Sequence, residues 1–157
     1  MKNSKFYDYY IFVDYSEGFV GYSIINQNKI FELLLKISRF KHYREQRNKS
    51  VYLGHIKSTM KKERLYSFFE RLKILKANSN LDLFLEIFDF LKKVDNSFVF
   101  LCIDDYQFKK FKKLFCLVNC ERVDIKKESE LKKGTPEYKV SLVIDNLLNI
   151  ERRKSIK

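Results

Sequence analysis

Two short runs of bulky apolar residues, Tyr9-Tyr-Ile-Phe-Val13 and Phe98-Val-Phe-Leu-Cys-Ile103, each lead straight into aspartate: Asp14 after the first, Asp104 and Asp105 after the second. Strand-length segments that are apolar on both faces belong in the middle of a sheet covered on both sides. In an open α/β sheet, ligands gather beyond the carboxyl ends of such strands. If the two runs are parallel neighbours, about 5 Å apart, Asp14 and Asp104 meet at one rim. Carboxylates held that close repel, so one takes a proton or both share a cation.

The rest of the chain alternates between strand and helix periods. Ser16-Glu-Gly18 is a turn signal, and Phe19 to Ile25 reads as a returning strand. Lys29 to Phe40 carries both periods: Phe31, Leu33, Leu35 and Ile37 alternate, while Ile30, Leu33, Leu34 and Ile37 have helical spacing. The turn-forming Asn26-Gln-Asn28 before it favours a strand, and Val51 to Lys57 reads as another. From Thr59 the helical period takes over, with Leu65, Phe68, Phe69, Leu72 and Leu75 on one face. Asn78-Ser-Asn80 ends that helix, and Ser79 or Asn80 can cap the next, Leu81 to Lys93, which is apolar nearly all round apart from Asp82, Glu86 and Asp89.

After the second buried run, Phe108, Phe111, Phe115 and Val118 predict a helix that keeps Lys109, Lys110, Lys112 and Lys113 outside. Glu121 to Ile125 predicts a last strand. Thr135-Pro136 then opens a helix with Val140, Val143, Ile144, Leu147 and Leu148 toward the core. This order predicts an α/β fold in one domain over residues 1–157, an antiparallel meander plus parallel strands, flanked by helices.

Charge narrows the partner. There are 32 Lys and Arg against 20 Asp and Glu, a formal net charge of +12. They cluster at Lys41 to Lys49, Lys57 to Arg64, Lys109 to Lys113 and Arg152 to Lys154. Such a field attracts phosphate backbones, so the expected partner is RNA or DNA. No apolar stretch approaches the roughly 20 residues of a membrane span, and the first residues hold no apolar signal core. Cys102, Cys116 and Cys120 lack metal-ligand spacing and read as reduced, mostly buried thiols. A cytoplasmic protein without a membrane partner is the expectation. Oligomeric state has no signature in the sequence.

These motifs resemble the ribonuclease H-like (retroviral-integrase-like) superfamily, in which one Asp ends the first strand, another ends the fourth, and a third lies on the final helix. The match is to a branch opening with an Asp-Glu-Ser-Gly turn, carrying a Glu-x-Lys segment mid-chain, and closing with an Ala-Asp-Leu helix followed by Arg. The corresponding segments here are Asp14-Tyr-Ser-Glu-Gly18, His55-Ile-Lys57, and Asp145-Asn-Leu147 followed by Arg152-Arg153. The resemblance implies a divalent-metal-dependent nuclease using Mg²⁺ or Mn²⁺. Asp14, Asp104 and Asp145 would be its catalytic and metal-binding residues, and Lys57, Lys61 and Lys62 would hold phosphates.

Tyr15 and His55 stand where that branch has acids. Tyr15 could stack on a base, as could Tyr106, and His55 would ligate Mn²⁺ better than Mg²⁺. A fourth ligand could be His55, Glu63 or Glu86, the last because a carboxylate on an apolar helix needs a partner. Two rivals remain: a non-catalytic nucleic-acid-binding or adaptor module of the same fold, and a PIN-type nuclease, against which the meander before the first long helix argues.

Overall fold

The computed structural model describes residues 7–76, 80–94, 96–117 and 122–155. Five strands, β1 (Tyr9–Ser16), β2 (Phe19–Asn26), β3 (Phe69–Lys76), β4 (Ser97–Leu101) and β5 (Val123–Lys127), form one sheet in the order β3-β2-β1-β4-β5. β1 pairs antiparallel with β2 and β2 antiparallel with β3, while β1, β4 and β5 run parallel. The two runs that end in Asp are therefore adjacent and parallel, with Val13 level with Leu101. Gly18, at φ +80°, supplies the left-handed residue of the turn between β1 and β2.

Helices cover both faces. The alternation of β1 and β4 divides their side chains between two cores: Phe12, Phe98 and Phe100 enter one, Ile11, Val13, Val99 and Leu101 the other. The first core is closed by α1 (Ile30–Lys36), α2 (Lys49–Lys62) and α5 (Pro136–Ser155). The second is closed by α3 (Asn80–Leu91) and α4 (Asp105–Cys116). Phe12 stacks on Phe100 at 5.4 Å in the first, and Phe84 meets Phe111 edge-on at 5.0 Å in the second. From Val140 to Ile150 every residue of α5 is buried, and its close approach to the sheet requires Gly21. A Cβ there would lie 2.8 Å from Ile144 Cδ1 and 3.2 Å from Leu148 Cδ2.

The mixed α/β class holds, but three of its elements differ from the sequence reading. Lys29 to Phe40 contains helix α1, not a strand: Ile30, Leu33 and Ile37 are buried at helical spacing while Phe31 and Leu35 are exposed. Val51 to Lys57 lies within α2, where Asn48 caps the helix and Leu53, Ile56 and Met60 form its buried face. The stretch from Leu65 to Leu75 is a 3₁₀ turn followed by β3, because Arg64 enters the left-handed region and ends the helix. The apolar residues of β3 are shared between the two cores, Phe69, Leu72 and Ile74 in the first and Leu75 in the second.

The expected caps and strand start at Asn78, Ser79 and Glu121, together with Val118 and Cys120, lie outside the described residues. Cys102 is half-buried and Cys116 is exposed, which corrects the expectation of buried thiols for the latter. Among the described residues no helix is long and apolar enough to cross a membrane.

Candidate active site

Asp14 lies near the carboxyl end of β1, on the face it shares with Phe12, the face covered by α5. It is buried, 6% exposed, and its Oδ1 accepts the Tyr15 backbone N–H at 2.7 Å. Directly above it, α5 carries a polar stripe, Ser141, Asp145, Asn149 and Arg152, at intervals that keep all four on one side of the helix. Asp145 is 9% exposed and its carboxyl interacts with that of Asp14. A strand end and a buried helix thus bring two acids into contact.

The segment between α1 and α2 completes the surroundings. The Tyr43 backbone N–H donates to Asp145 Oδ2 at 3.1 Å, and His42 Nδ1 lies 4.0 Å from the same oxygen. That Nδ1 also accepts the Arg44 N–H at 3.3 Å, which caps the turn. The segment is anchored twice at Lys41. Its N–H donates to Tyr52 Oη, and its carbonyl accepts from the Asn146 amide at 3.1 Å. Arg152 and Arg153 both donate to Tyr43 Oη, and Ser16 Oγ donates to Asn149 Oδ1. Sequence reasoning did not assign Tyr43, Arg44 or Asn149 to the site. The polar stripe on α5 was the signal for Asn149, whereas nothing local marks the 42–44 segment.

Burial raises the pKa of Asp145, because desolvation penalises the charged carboxylate. The Tyr43 N–H, the positive potential of His42 and Arg44, and the interaction with Asp14 oppose that shift. The sign of the linkage follows. A carboxyl whose folded pKa lies above its unfolded value of about 3.9 costs stability as pH rises through that interval, and costs nothing below it. Asp145→Asn, which keeps the acceptor for Tyr43, is therefore expected to raise the Tm of the metal-free protein at neutral pH. A gain of about 1 kcal/mol would appear as roughly 2–4 °C. Thermal melts of both proteins should converge below about pH 4. A gap that persists unchanged into acid would contradict this account.

The other expected site residues take separate places. Asp104 is exposed and caps α4, its Oδ1 accepting the Gln107 N–H at 2.8 Å. Tyr15, 38% exposed, projects on the opposite side of β1 from Asp14. His55 stands on the exposed side of α2, not on a strand, alongside exposed Lys57, Lys61 and Lys62. Glu63 pairs with Lys36 at 2.9 Å. Glu86 pairs with Lys73 at 2.5 Å and lies on α3, across the sheet from Asp14. Tyr106 is exposed on α4. Among the described residues no three His, Cys, Asp or Glu side chains form a group able to hold a metal. The structure brings together Asp14 and Asp145 and leaves Asp104 outside the pair.

No family model matches the sequence, and no curated protein does. Among solved structures, ribonuclease H2 from Pyrococcus horikoshii superposes with a TM-score of 0.56 at 15% identity, covering 94% of this chain and 74% of that one. RNase HII from Archaeoglobus fulgidus, solved in a complex with PCNA, superposes with a TM-score of 0.51 at 11% identity, covering 94% and 73%. The chain has the ribonuclease H-like fold.

Proposed function

We propose that this protein is a metal-dependent nuclease that hydrolyses phosphodiester bonds of RNA or DNA, with Asp14 and Asp145 at the centre of its site. The observation that carries the reading is the buried juxtaposition of these two carboxyls near the carboxyl end of the central strand. A structural role gives a poor account of it. Two acids side by side under a helix cost stability unless a proton or a cation neutralises them. The similarity of the fold to that of ribonuclease H2 and RNase HII supports the same chemistry.

Mg²⁺ and Mn²⁺ suit this donor set, since such ions use one or two carboxylates and complete their shell with water and substrate phosphate. Asp14 and Asp145 would hold the ion, and the exposed carboxylate of Asp104 would join them from the start of α4. When bound, the cation supplies positive charge against the attacking and leaving oxygens of an in-line displacement. The chain's own groups orient and bind. The Tyr43 N–H fixes the direction of Asp145, the Tyr15 N–H fixes Asp14, and Lys57, Lys61 and Lys62 on α2 attract the polyanion.

The second reading, a nucleic-acid-binding or adaptor module without activity, is favoured by two observations. Tyr15 stands where the resembling branch has an acid, and Asp104 is used as a helix cap. Incubation with single- and double-stranded RNA and DNA in Mn²⁺, Mg²⁺ or chelator separates the two. Metal-dependent cleavage by wild type is expected. Binding without cleavage of any substrate under any metal leaves the module. In either case affinity should fall steeply with salt, as phosphate contacts displace counterions.

A further inference from the structure

α2 carries a glycine for which packing provides no reason. Gly54 lies in the interior of the helix, is exposed, and a Cβ added to it would meet nothing within 4 Å. Its backbone is not in the left-handed region, so neither strain nor close approach accounts for the residue. Glycine in a helix interior is nonetheless costly relative to alanine. What the missing side chain does provide is clearance. Ser50, Gly54 and Lys57 share one face of α2, opposite the end of α5, and together they line a groove of about 470 Å³ with Arg152, Arg153 and Lys154 on its far wall.

Charge identifies the occupant. The groove has cationic side chains from both helices and no acidic residue among the described residues that line it. Arg152 and Arg153 are half-buried and aimed by their hydrogen bonds to Tyr43 Oη, at 3.2 and 3.1 Å, so their guanidinium groups are held rather than waving in solvent. Held guanidiniums suit the planar, bidentate recognition of phosphate oxygens. The groove also continues the acid pair. Arg152 follows Asp145 by seven residues on the same helix, about 10 Å along its axis, on the order of three nucleotide rises. Tyr43 joins the two directly, its backbone bonded to Asp145 and its phenol to both arginines.

We infer that the groove between α2 and the end of α5 is the seat of the nucleic-acid backbone, with Lys57, Arg152 and Arg153 as phosphate contacts and Gly54 as the gap that admits the strand. This deepens the proposed function and rests on its reading of nucleic acid as the partner, but it does not depend on cleavage.

The test is equilibrium binding of a labelled RNA or DNA oligonucleotide in chelator, across a salt series. Gly54→Ala should raise Tm by about 2–4 °C, which shows that the position tolerates a side chain. Gly54→Glu, whose Cβ likewise meets no atom of the fold, should weaken binding by about tenfold or more by placing a like charge against the phosphate. Lys57→Gln combined with Arg153→Gln should lower the slope of log K against log salt by roughly 1.5. Lys109→Gln with Lys110→Gln, an equal loss of charge on α4 across the sheet, should leave affinity within about twofold.

Equal losses from the α4 and groove pairs, or unchanged binding by Gly54→Glu, would overturn the proposal. So would equal, Gly54-dependent binding of polyglutamate, which would make the groove a general acidic-polymer site. Groove variants that bind normally in a protein that cleaves would remove the groove and leave the nuclease. Groove variants that lose binding in a protein that cuts nothing would do the reverse.

Discussion

Asp14→Asn is expected to lower Mn²⁺- or Mg²⁺-dependent cleavage by roughly a hundred- to a thousandfold, since the charge stabilisation a bound metal supplies is worth several kcal/mol. The protein should stay folded. Asn keeps the oxygen that accepts the Tyr15 N–H, and its amide can donate to Asp145 in place of the present carboxyl contact. Nucleic-acid binding in chelator should be unchanged or slightly tighter, because a buried negative charge near the phosphate has been removed. Asp104→Asn makes a sharper companion. Asn and Asp cap helices about equally well, so Tm should not move, and any loss of cleavage reports on the carboxylate as a metal-directed group rather than on α4. If Asp104→Asn retains wild-type activity while Asp14→Asn does not, the working site is the Asp14–Asp145 pair without Asp104. If neither substitution affects cleavage, the acid pair has another purpose and the nuclease reading falls.

The central strands were legible in the sequence because burial on both faces writes a continuous apolar run, and β1 and β4 are the two strands that sit mid-sheet in parallel. The final helix was legible for a related reason. Its Thr135-Pro136 start and its apolar spacing agree, and Asp145 stands out among buried neighbours. α1 and α2 were misread because short stretches of mixed spacing satisfy both periods, so tertiary burial has to decide between them. In α1 the face with Ile30 and Leu33 is claimed by the core, leaving Phe31 and Leu35 in solvent. β3 was misread in the opposite sense, since an edge strand with a register shift opposite Ile24 and Ile25 loses clean alternation.

The same distinction separates the parts of the site. Asp14 and Asp145 belong to elements with strong patterns, and their meeting follows from the topology. The 42–44 segment has no periodicity and is placed by partners distant in sequence, Tyr52, Asp145, Asn146 and the two arginines. Asp104 shows how a correct local reading can leave function open. An Asp after a strand and before a helix can serve as a cap, a ligand, or both, and capping requires only one of its two oxygens.

Gly21 connects the packing of the fold to the chemistry of the site, and substituting it is expected to disturb both. It pairs with Asp14 across β1 and β2, and its missing side chain is the space that Ile144 and Leu148 of α5 occupy. Gly21→Ala would press a methyl group to 2.8 Å from Ile144 Cδ1, with Lys73 O and Leu148 Cδ2 both at 3.2 Å. The Ile144 terminus is the softest of these, but it is fully enclosed, so the expected cost is about 1–3 kcal/mol. Gly21→Val should cost more. Because α5 can relieve the contact only by moving off the sheet, cleavage should fall as Asp145 is drawn away from Asp14, beyond what instability alone explains. The decisive measurement is a double-mutant cycle. Ile144→Val removes the clashing Cδ1 and by itself should cost about 0.5–1.5 kcal/mol. Combined with Gly21→Ala, it should give a protein more stable than the sum of the single changes requires, by at least about 0.5 kcal/mol. Strict additivity would mean that α5 does not depend on Gly21 for its approach to the sheet, and the link from that glycine to the acid pair would be lost.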